Sequence, residues 1–172
     1  TDPREKFRIR IYNGSAERIS LECKRKERGM THKTSCPLTR EQTELLMAGK
    51  IVPNVADQPP LLQKLTAQMM TRRLHPVVIV DYLREAYLHP AEEVRITFDM
   101  QLRSGLNSVD MFNPYLPTVP PFDHDEIILE VKYNQVLPPY IANLLTYALR
   151  DGACRSAISK YVYCRRFEFK DF

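Results

Sequence analysis

Residues 6–26 read KFRIRIYNGSAERISLECKRK. In residues 6–12 every second side chain is apolar and its neighbours are polar or charged, which is typical of a strand with one buried face. Asn13 and Gly14 tolerate positive φ and predict a hairpin turn. Residues 19–26 repeat the alternation, so we expect a second strand to pair with the first. The charged face concentrates cations around a single carboxylate: Lys6, Arg8, Arg10, Lys24, Lys26 and Glu22.

Length and composition indicate a soluble globular protein. The 172 residues fit one domain and suffice for a core, with 44% hydrophobic and 27% charged residues. A net charge of +4 is too mild to argue for nucleic acid by itself. No apolar run is long enough for a bilayer, and the N-terminus does not resemble a signal peptide. Four cysteines without CxxC spacing indicate reduced thiols in a cytosolic protein.

The remaining chain alternates between strand and helix signals. Thr39 is a candidate N-cap for a helix, with Gly49 at its end, and paired prolines open two further helices. The expected strands are Met30–Ser35, His75–Tyr87, Glu93–Arg103, Ile127–Asn134 and Ser156–Phe169. Of the three expected helices, the first follows Thr39, the second runs from Pro59 to about Arg73, and the third runs from Pro138 to near Gly152. The proline-rich interval Asn113–Phe122 is expected to be a loop.

Several strands therefore carry one apolar face and one face rich in arginine and lysine. In an open sheet these charged faces would simply be solvated. In a sheet that curls into a barrel they would line a cavity, and enclosed cations require an anionic occupant. Triphosphates and polyphosphates fit, because arginine binds their oxygens bidentately and lysine neutralises them. Inward carboxylates then require a bridging divalent cation.

Six segments resemble the successive strands of a known family. They are Phe7-Arg-Ile-Arg-Ile-Tyr, Leu21-Glu-Cys-Lys-Arg-Lys, Asp81-Tyr-Leu-Arg-Glu-Ala-Tyr, Val94-Arg-Ile-Thr-Phe-Asp, Leu129-Glu-Val-Lys-Tyr and Ile158-Ser-Lys-Tyr. Their order resembles the VTC domain, the polyphosphate-polymerase domain of the vacuolar transporter chaperone type, in a bacterial version. The wider group is the triphosphate tunnel metalloenzymes, or CYTH-like superfamily. The resemblance implies an α+β fold: an antiparallel β-barrel forming a triphosphate tunnel, with helices packed outside and at one end. Residues 1–172 would form a single tunnel domain lacking its N-terminal strands.

The resemblance also implies an enzyme that transfers the γ-phosphate of ATP to polyphosphate, with Mn²⁺ or Mg²⁺ as cofactor. Its expected partners are ATP and inorganic polyphosphate or pyrophosphate, with a separate membrane protein as a further candidate. Nucleic acid and membrane insertion are not expected, and the expected location is the cytoplasm, including the inner face of the membrane. The implied catalytic residues are Arg8, Arg10, Lys24, Arg84, Arg95, Lys132 and Lys160; the metal ligand is Glu130; Lys33, Lys26, Glu22 and Tyr133 are expected to contact substrate.

Alternatives remain for both the function and the residues. The family's opening strands, with an early lysine, have no match here, so native sequence is expected to precede the chain. The Glu-x-Glu-x-Lys of the triphosphatase branch is also absent, and that branch stays open. A third possibility is a module that binds polyphosphate or inositol phosphates without turnover. Among the residues, Arg8 and Arg10 could form salt bridges with Glu22 and Glu130. Glu130 could serve only to orient Lys132, and Lys160 could merely extend its ammonium to water.

Overall fold

The computed structural model describes residues 3–89, 93–122 and 125–166. The chain has an α+β fold, as predicted, and its strands form two three-stranded antiparallel sheets, β1-β2-β3 and β4-β5-β6. In the described part of the chain the strand pairing shows no closed barrel. The elements are β1 Arg4–Tyr12, β2 Ser15–Glu27, β3 Met30–Leu38, α1 Arg40–Met47, a 3-10 turn Val55–Asp57, α2 Pro60–Arg72, β4 Val80–His89, β5 Val94–Ser104, β6 Ile128–Lys132, α3 Pro139–Arg150 and α4 Lys160–Cys164.

The described residues fall into two compact units. The first unit holds the chain up to Val77 together with Val109–Leu116, and therefore contains the sheet β1-β2-β3 with α1 and α2. The second unit holds Val78–Ser108 and the chain from Pro117 onward, and contains the sheet β4-β5-β6 with α3 and α4.

Tight turns fix the register of the first sheet. Asn13 and Gly14 have φ values of 53° and 66°, so both adopt the left-handed conformation of a two-residue hairpin, as their sequence predicts. Arg28 and Gly29 repeat this geometry between β2 and β3, with φ values of 48° and 81°. Because side chains alternate along a strand, these turns determine which side chains share a face.

Helix α1 begins and ends where the sequence predicts. The Thr39 hydroxyl accepts from the Gln42 amide at 3.1 Å, and the Gln42 side chain accepts from the Thr39 amide at 2.9 Å. This is a capping box. At the other end Gly49 has a φ of 70° and its amide donates to the Leu46 carbonyl at 3.0 Å, while the Lys50 amide donates to Leu45 at 2.8 Å. Gly49 therefore ends the helix in a Schellman motif.

The core of the first unit lies between the apolar face of its sheet and the two helices. Leu21 and Leu62 are fully buried at its centre, and Leu62 comes from α2. The other buried members are Ile19, Cys23, Cys36, Leu38, Leu46, Val52, Leu61 and Leu65. This packing leaves the opposite face of the sheet for the charged side chains.

The second sheet is shorter at one end than the sequence predicts. Strand β4 begins at Val80 rather than His75, because its partner β5 ends at Ser104, the residue opposite Val80. The interval 113–122 is irregular, as its prolines predict, and contributes one isolated bridge from Val119 to Ser104. Among the described residues, no helix has the length and apolar character to span a membrane.

The predicted strand Ser156–Phe169 is wrong where the structure describes it. Lys160–Cys164 forms the short helix α4, and residues 167–169 lie outside the described part. The sequence predicts a strand here, but the buried position of Cys164 accompanies a helix instead. Cys164 is fully buried against Leu102 and Ile128, and the Ser104 hydroxyl donates to its carbonyl at 2.8 Å. Tertiary packing thus overrides the local pattern.

Candidate anion-binding site

The charged face of the first sheet contains a row of three lysines. Lys6 in β1 lies directly opposite Lys24 in β2, and Lys24 lies directly opposite Lys33 in β3. Opposed residues on neighbouring strands have Cβ atoms about 4.5–5.5 Å apart, and like charges at such positions are destabilising. We call this face the first cation face; its cations are Arg4, Lys6, Arg8, Arg10, Lys24, Lys26 and Lys33.

The crowding affects the titration of Lys6. Partial burial, followed by the positive charges of Arg4 and Lys24, lowers the pKa of the Lys6 ammonium. A neighbouring cation disfavours the protonated form, whereas a bound anion would favour it. An anion bound beside Lys6 and Lys24 would therefore offset the repulsion between these two ammonium groups.

Among the described residues of the first cation face, the carboxylate next to the lysine row is Glu22. It lies in β2 opposite Arg8, two residues before Lys24. Its side chain is only 8% exposed, and its Oε2 accepts from the Nε of Arg8 at 2.5 Å, while its Oε1 lies 3.2 Å from the Nζ of Lys33. Burial alone would raise the pKa of Glu22, but the bonds from Arg8 and Lys33 outweigh it and the pKa is lowered. Glu22 thus orients Arg8 and Lys33, and the alternative of an Arg8–Glu22 salt bridge is present in the structure.

The other predicted residues of this unit extend the face along β1 and β2. Arg10 lies opposite Ser20, and its Nη1 is 3.5 Å from the hydroxyl of Tyr12. Lys26 lies between Arg4 and Thr31 in the register. The structure therefore brings all six predicted site residues of the first unit onto one sheet face: Arg8, Arg10, Glu22, Lys24, Lys26 and Lys33.

The second unit has its own charged cluster, centred on Asp99. The guanidinium of Arg84 binds this carboxylate bidentately, with Nε at 2.5 Å from Oδ1 and Nη2 at 2.7 Å from Oδ2. Lys160 of α4 places its Nζ 2.5 Å from the same Oδ2. The Asp99 side chain is 0% exposed. Burial would raise the pKa of Asp99, but the bonds from Arg84 and Lys160 lower it overall.

A β-bulge explains why Asp99 is buried. Leu83 lies opposite Met100 and Asp81 opposite Arg103, so β5 has one residue more than β4 in this interval. Gln101, with a φ of 50°, lies within the bulge. Beyond it Leu102 joins Ile128, which is opposite Asp99, in one buried cluster. Asp99 therefore lies beside a small core, and the strict alternation predicted for this strand fails at Gln101.

The remaining predicted residues lie further along β5 and β6. Arg95 is directly opposite Lys132, and Thr97 is directly opposite Glu130. The Nζ of Lys132 lies 3.2 Å from Oε1 of Glu130, so the alternative that Glu130 orients Lys132 is also present. Tyr133 follows the end of β6 and is half exposed. We call this surface the second cation face; its cations are Arg84, Arg95, Lys132 and Lys160.

The site residues predicted from the sequence do not include Lys6 or Asp99, although the structure places both among them. Lys6 lies on the predicted charged face. Because it precedes Arg8 by two residues in the same strand, the alternation of side chains already places it on the same face as Arg8. The sequence pattern by itself gives Asp99 no role. Only its register opposite Arg84 and its contact with α4 reveal that it joins two of the predicted residues.

The three buried cysteines, Cys23, Cys36 and Cys164, are poor nucleophiles. All four are free thiols. Burial raises the pKa of Cys23 and Cys36, and raises that of Cys164 to about 11. Because the thiolate is the nucleophilic form, these three are inert near neutral pH. Faces rich in arginine and lysine are chemically suited to binding and neutralising anions, which is the main requirement of phosphoryl transfer.

Among the described residues, the protein offers few ligands for a divalent cation, so most of the ligands would have to come from a bound phosphate. In the described part of the chain, no group of three or more His, Cys, Asp or Glu side chains is placed to hold a metal ion. Glu130 is 42% exposed, and the opposing Thr97 has a buried hydroxyl without a hydrogen-bond partner among the described residues. Mg²⁺ and Mn²⁺ prefer such oxygen ligands, and Mg²⁺ is usually bound by one or two carboxylates together with phosphate oxygens.

Comparison with known proteins agrees with this chemistry. A family model described as the VTC domain matches residues 1–169, nearly the whole chain. Neither the curated proteins nor the solved structures contain a significant match. The family is compatible with a polyphosphate-related function of the phosphotransferase type, and two faces rich in arginine and lysine suit such substrates. The chain belongs to the VTC domain family.

Proposed function

We propose that this chain is a metal-dependent, polyphosphate polymerase-like domain that transfers the γ-phosphoryl group of ATP to a growing polyphosphate chain. Membership of the VTC domain family supports the class of reaction. The cation faces of the two units support the class of substrate, because each brings several arginine and lysine side chains together on one side of a sheet.

The observation that carries the proposal is the row Lys6–Lys24–Lys33. A surface patch that needs only solubility does not place three like charges directly opposite one another, since that arrangement lowers stability. A linear chain of phosphates carries closely spaced negative charges and would relieve the repulsion along the whole row. The row is therefore better suited to an extended polyanion than to a single small anion.

The proposed roles follow the positions of the residues. Arg8, Arg10 and Lys24 bind phosphate oxygens on the first cation face, with Lys6 added to them. Arg84 and Arg95 do so on the second. Lys132 and Lys160 contact the chain. A closed antiparallel tunnel is part of the proposal, as the family resemblance implies.

The reaction itself is a displacement at phosphorus. A terminal oxygen of the polyphosphate chain forms a bond to the γ-phosphorus of ATP, and the bond from that phosphorus to the β–γ bridging oxygen breaks, so that ADP leaves. Arginine and lysine side chains hold the two reactants in line and neutralise their charge. A bound Mn²⁺ or Mg²⁺, with Glu130 as its proposed protein ligand, would supply further neutralisation of the phosphate oxygens.

The proposed location is the cytoplasm, where ATP is available. Four free cysteines support a reducing compartment. The proposed partners are ATP and inorganic polyphosphate or pyrophosphate, and a separate membrane protein is a candidate to receive the product.

The direct test is synthesis. The protein is incubated with ATP and Mn²⁺, and long-chain polyphosphate is detected after gel separation. Arg10→Ala is expected to abolish the product while circular dichroism shows an unchanged fold. Arg72→Ala removes the same charge at the end of α2, which packs on the opposite side of the sheet from the first cation face, and is expected to retain synthesis.

Each other outcome has a distinct meaning. Free phosphate without chain growth would identify a triphosphate hydrolase. Saturable polyphosphate binding with neither product would identify a binding module. Normal synthesis by Arg10→Ala would contradict the proposed role of the first cation face.

A further inference from the structure

Asp99 joins two cations that come from different elements. The Nη2 of Arg84 and the Nζ of Lys160 bind the same Oδ2, at 2.7 and 2.5 Å, so the two nitrogens cannot be more than about 5.2 Å apart. Both side chains also lie against the ring of Tyr82, with the Arg84 Cζ and the Lys160 Nζ each 5.1 Å from its centroid. Two positive groups at this separation repel unless an anion lies between them.

We propose that Asp99 is a positioning residue that holds Arg84 and Lys160 together as a clamp for one phosphoryl group. The proposal rests on the proposed function, because it assumes a phosphate-containing substrate. Asp99 does not touch that substrate: its side chain is 0% exposed, and both of its oxygens are occupied by the cations.

The clamp retains donors for a ligand. Arg84 uses Nε and Nη2 to bind Asp99, which leaves both N–H groups of its Nη1 for a ligand. Lys160 has three N–H donors, of which Asp99 accepts one. The side chains of Arg84 and Lys160 are 24% and 20% exposed, so each reaches solvent while its other side is fixed.

A purely structural role for Asp99 would be to attach α4 to the sheet. That task has a second, separate anchor, because the Ser104 hydroxyl donates to the Cys164 carbonyl at 2.8 Å and Cys164 is fully buried. Ser104→Ala loosens this anchor without changing any charge. It is therefore the matched control for Asp99→Asn.

The experiment measures how much Lys160 contributes to binding in three backgrounds. Affinity for inorganic tripolyphosphate is determined by isothermal titration calorimetry, at low salt, with circular dichroism as the check on folding. Lys160→Met is expected to weaken binding about tenfold in the wild-type background, since a charge-assisted hydrogen bond is lost. In the Asp99→Asn background the same substitution is expected to cost less than about twofold, because Lys160 is no longer held beside Arg84. In the Ser104→Ala background the tenfold effect is expected to persist.

An equal effect of Lys160→Met in the wild-type and Asp99→Asn backgrounds would overturn the positioning role and leave the proposed function intact. Loss of the effect in Ser104→Ala as well would show that only the attachment of α4 matters, and would also overturn it. Failure of the wild-type protein to bind tripolyphosphate would instead overturn the proposed function, and the clamp with it.

A second measurement needs no substitution of Asp99, in case that variant does not fold. In the ¹⁵N spectrum of lysine ammonium groups, Lys160 is assigned by the signal that disappears in Lys160→Met. A bound, partly buried ammonium exchanges slowly, so we expect a resolved signal that shifts when tripolyphosphate is added. A missing signal, or one that tripolyphosphate leaves unchanged, would overturn the clamp.

Discussion

Substitution of Lys24 by glutamine should stabilise the protein and weaken its binding of phosphate chains. Lys24 lies between Lys6 and Lys33 in the cross-strand row. If the ammonium groups separate to roughly 8 Å, each pair costs about 0.5 kcal/mol in water, so removal of the central charge gains about 1 kcal/mol. Screening at 0.1 M salt reduces this gain to about half. The lost contact with phosphate should weaken binding at least about tenfold.

Chemical denaturation and calorimetry with tripolyphosphate measure the two effects on the same samples. Lys50→Gln is the matched control, because it removes an exposed lysine beyond the end of α1. It is expected to change neither the free energy of unfolding nor the affinity appreciably. The contrary result would be a Lys24→Gln protein that is less stable than the wild type at low salt and binds tripolyphosphate equally well. It would refute the argument that repulsion within the lysine row lowers stability and favours the binding of an anion.

Three further predictions concern other parts of the molecule. The pKa values of Glu22 and Asp99 lie below their ordinary 4.5 and 3.8 in the folded state, so the unfolded chain binds those protons first. The free energy of unfolding should therefore fall as acid is added below about pH 4; denaturation at several pH values tests this, and a flat profile would contradict it. Leu62→Ala, at a fully buried position, should cost about 2–5 kcal/mol of unfolding free energy, and a smaller loss would show that the core closes over the cavity. Glu130→Gln should abolish the response of polyphosphate synthesis to Mn²⁺; an unchanged Mn²⁺ titration would show that Glu130 is not the ligand.

The sequence predicts the first cation face well, because its determinants are local. Asn13 and Gly14 specify the turn by their tolerance of positive φ, and alternation then assigns each side chain of β1 and β2 to a face. Thr39 and Gly49 specify the ends of α1 in the same local manner. No long-range information is required for these features.

The second unit is predicted less well, because its features depend on contacts distant in sequence. The bulge at Gln101 carries no glycine, so nothing in the local sequence shows that alternation changes there. The helix at Lys160 forms where Cys164 is buried against Leu102, a residue more than fifty positions earlier. The burial of Asp99 follows from both features together.

The salt bridges of Glu22 and Glu130 show another limit of sequence reasoning. Both carboxylates share a face with several cations, and the pattern alone does not select their partners. The structure selects Arg8 and Lys33 for Glu22, and Lys132 for Glu130.

The most direct test of the account is a crystal structure of the protein grown with tripolyphosphate. We expect the anion to lie along the row Lys6–Lys24–Lys33, with arginine nitrogens of the same sheet face within hydrogen-bond distance of its oxygens. Tripolyphosphate bound elsewhere, with the three lysines directed to bulk solvent, would contradict the claim that this face is built for a chain of phosphates.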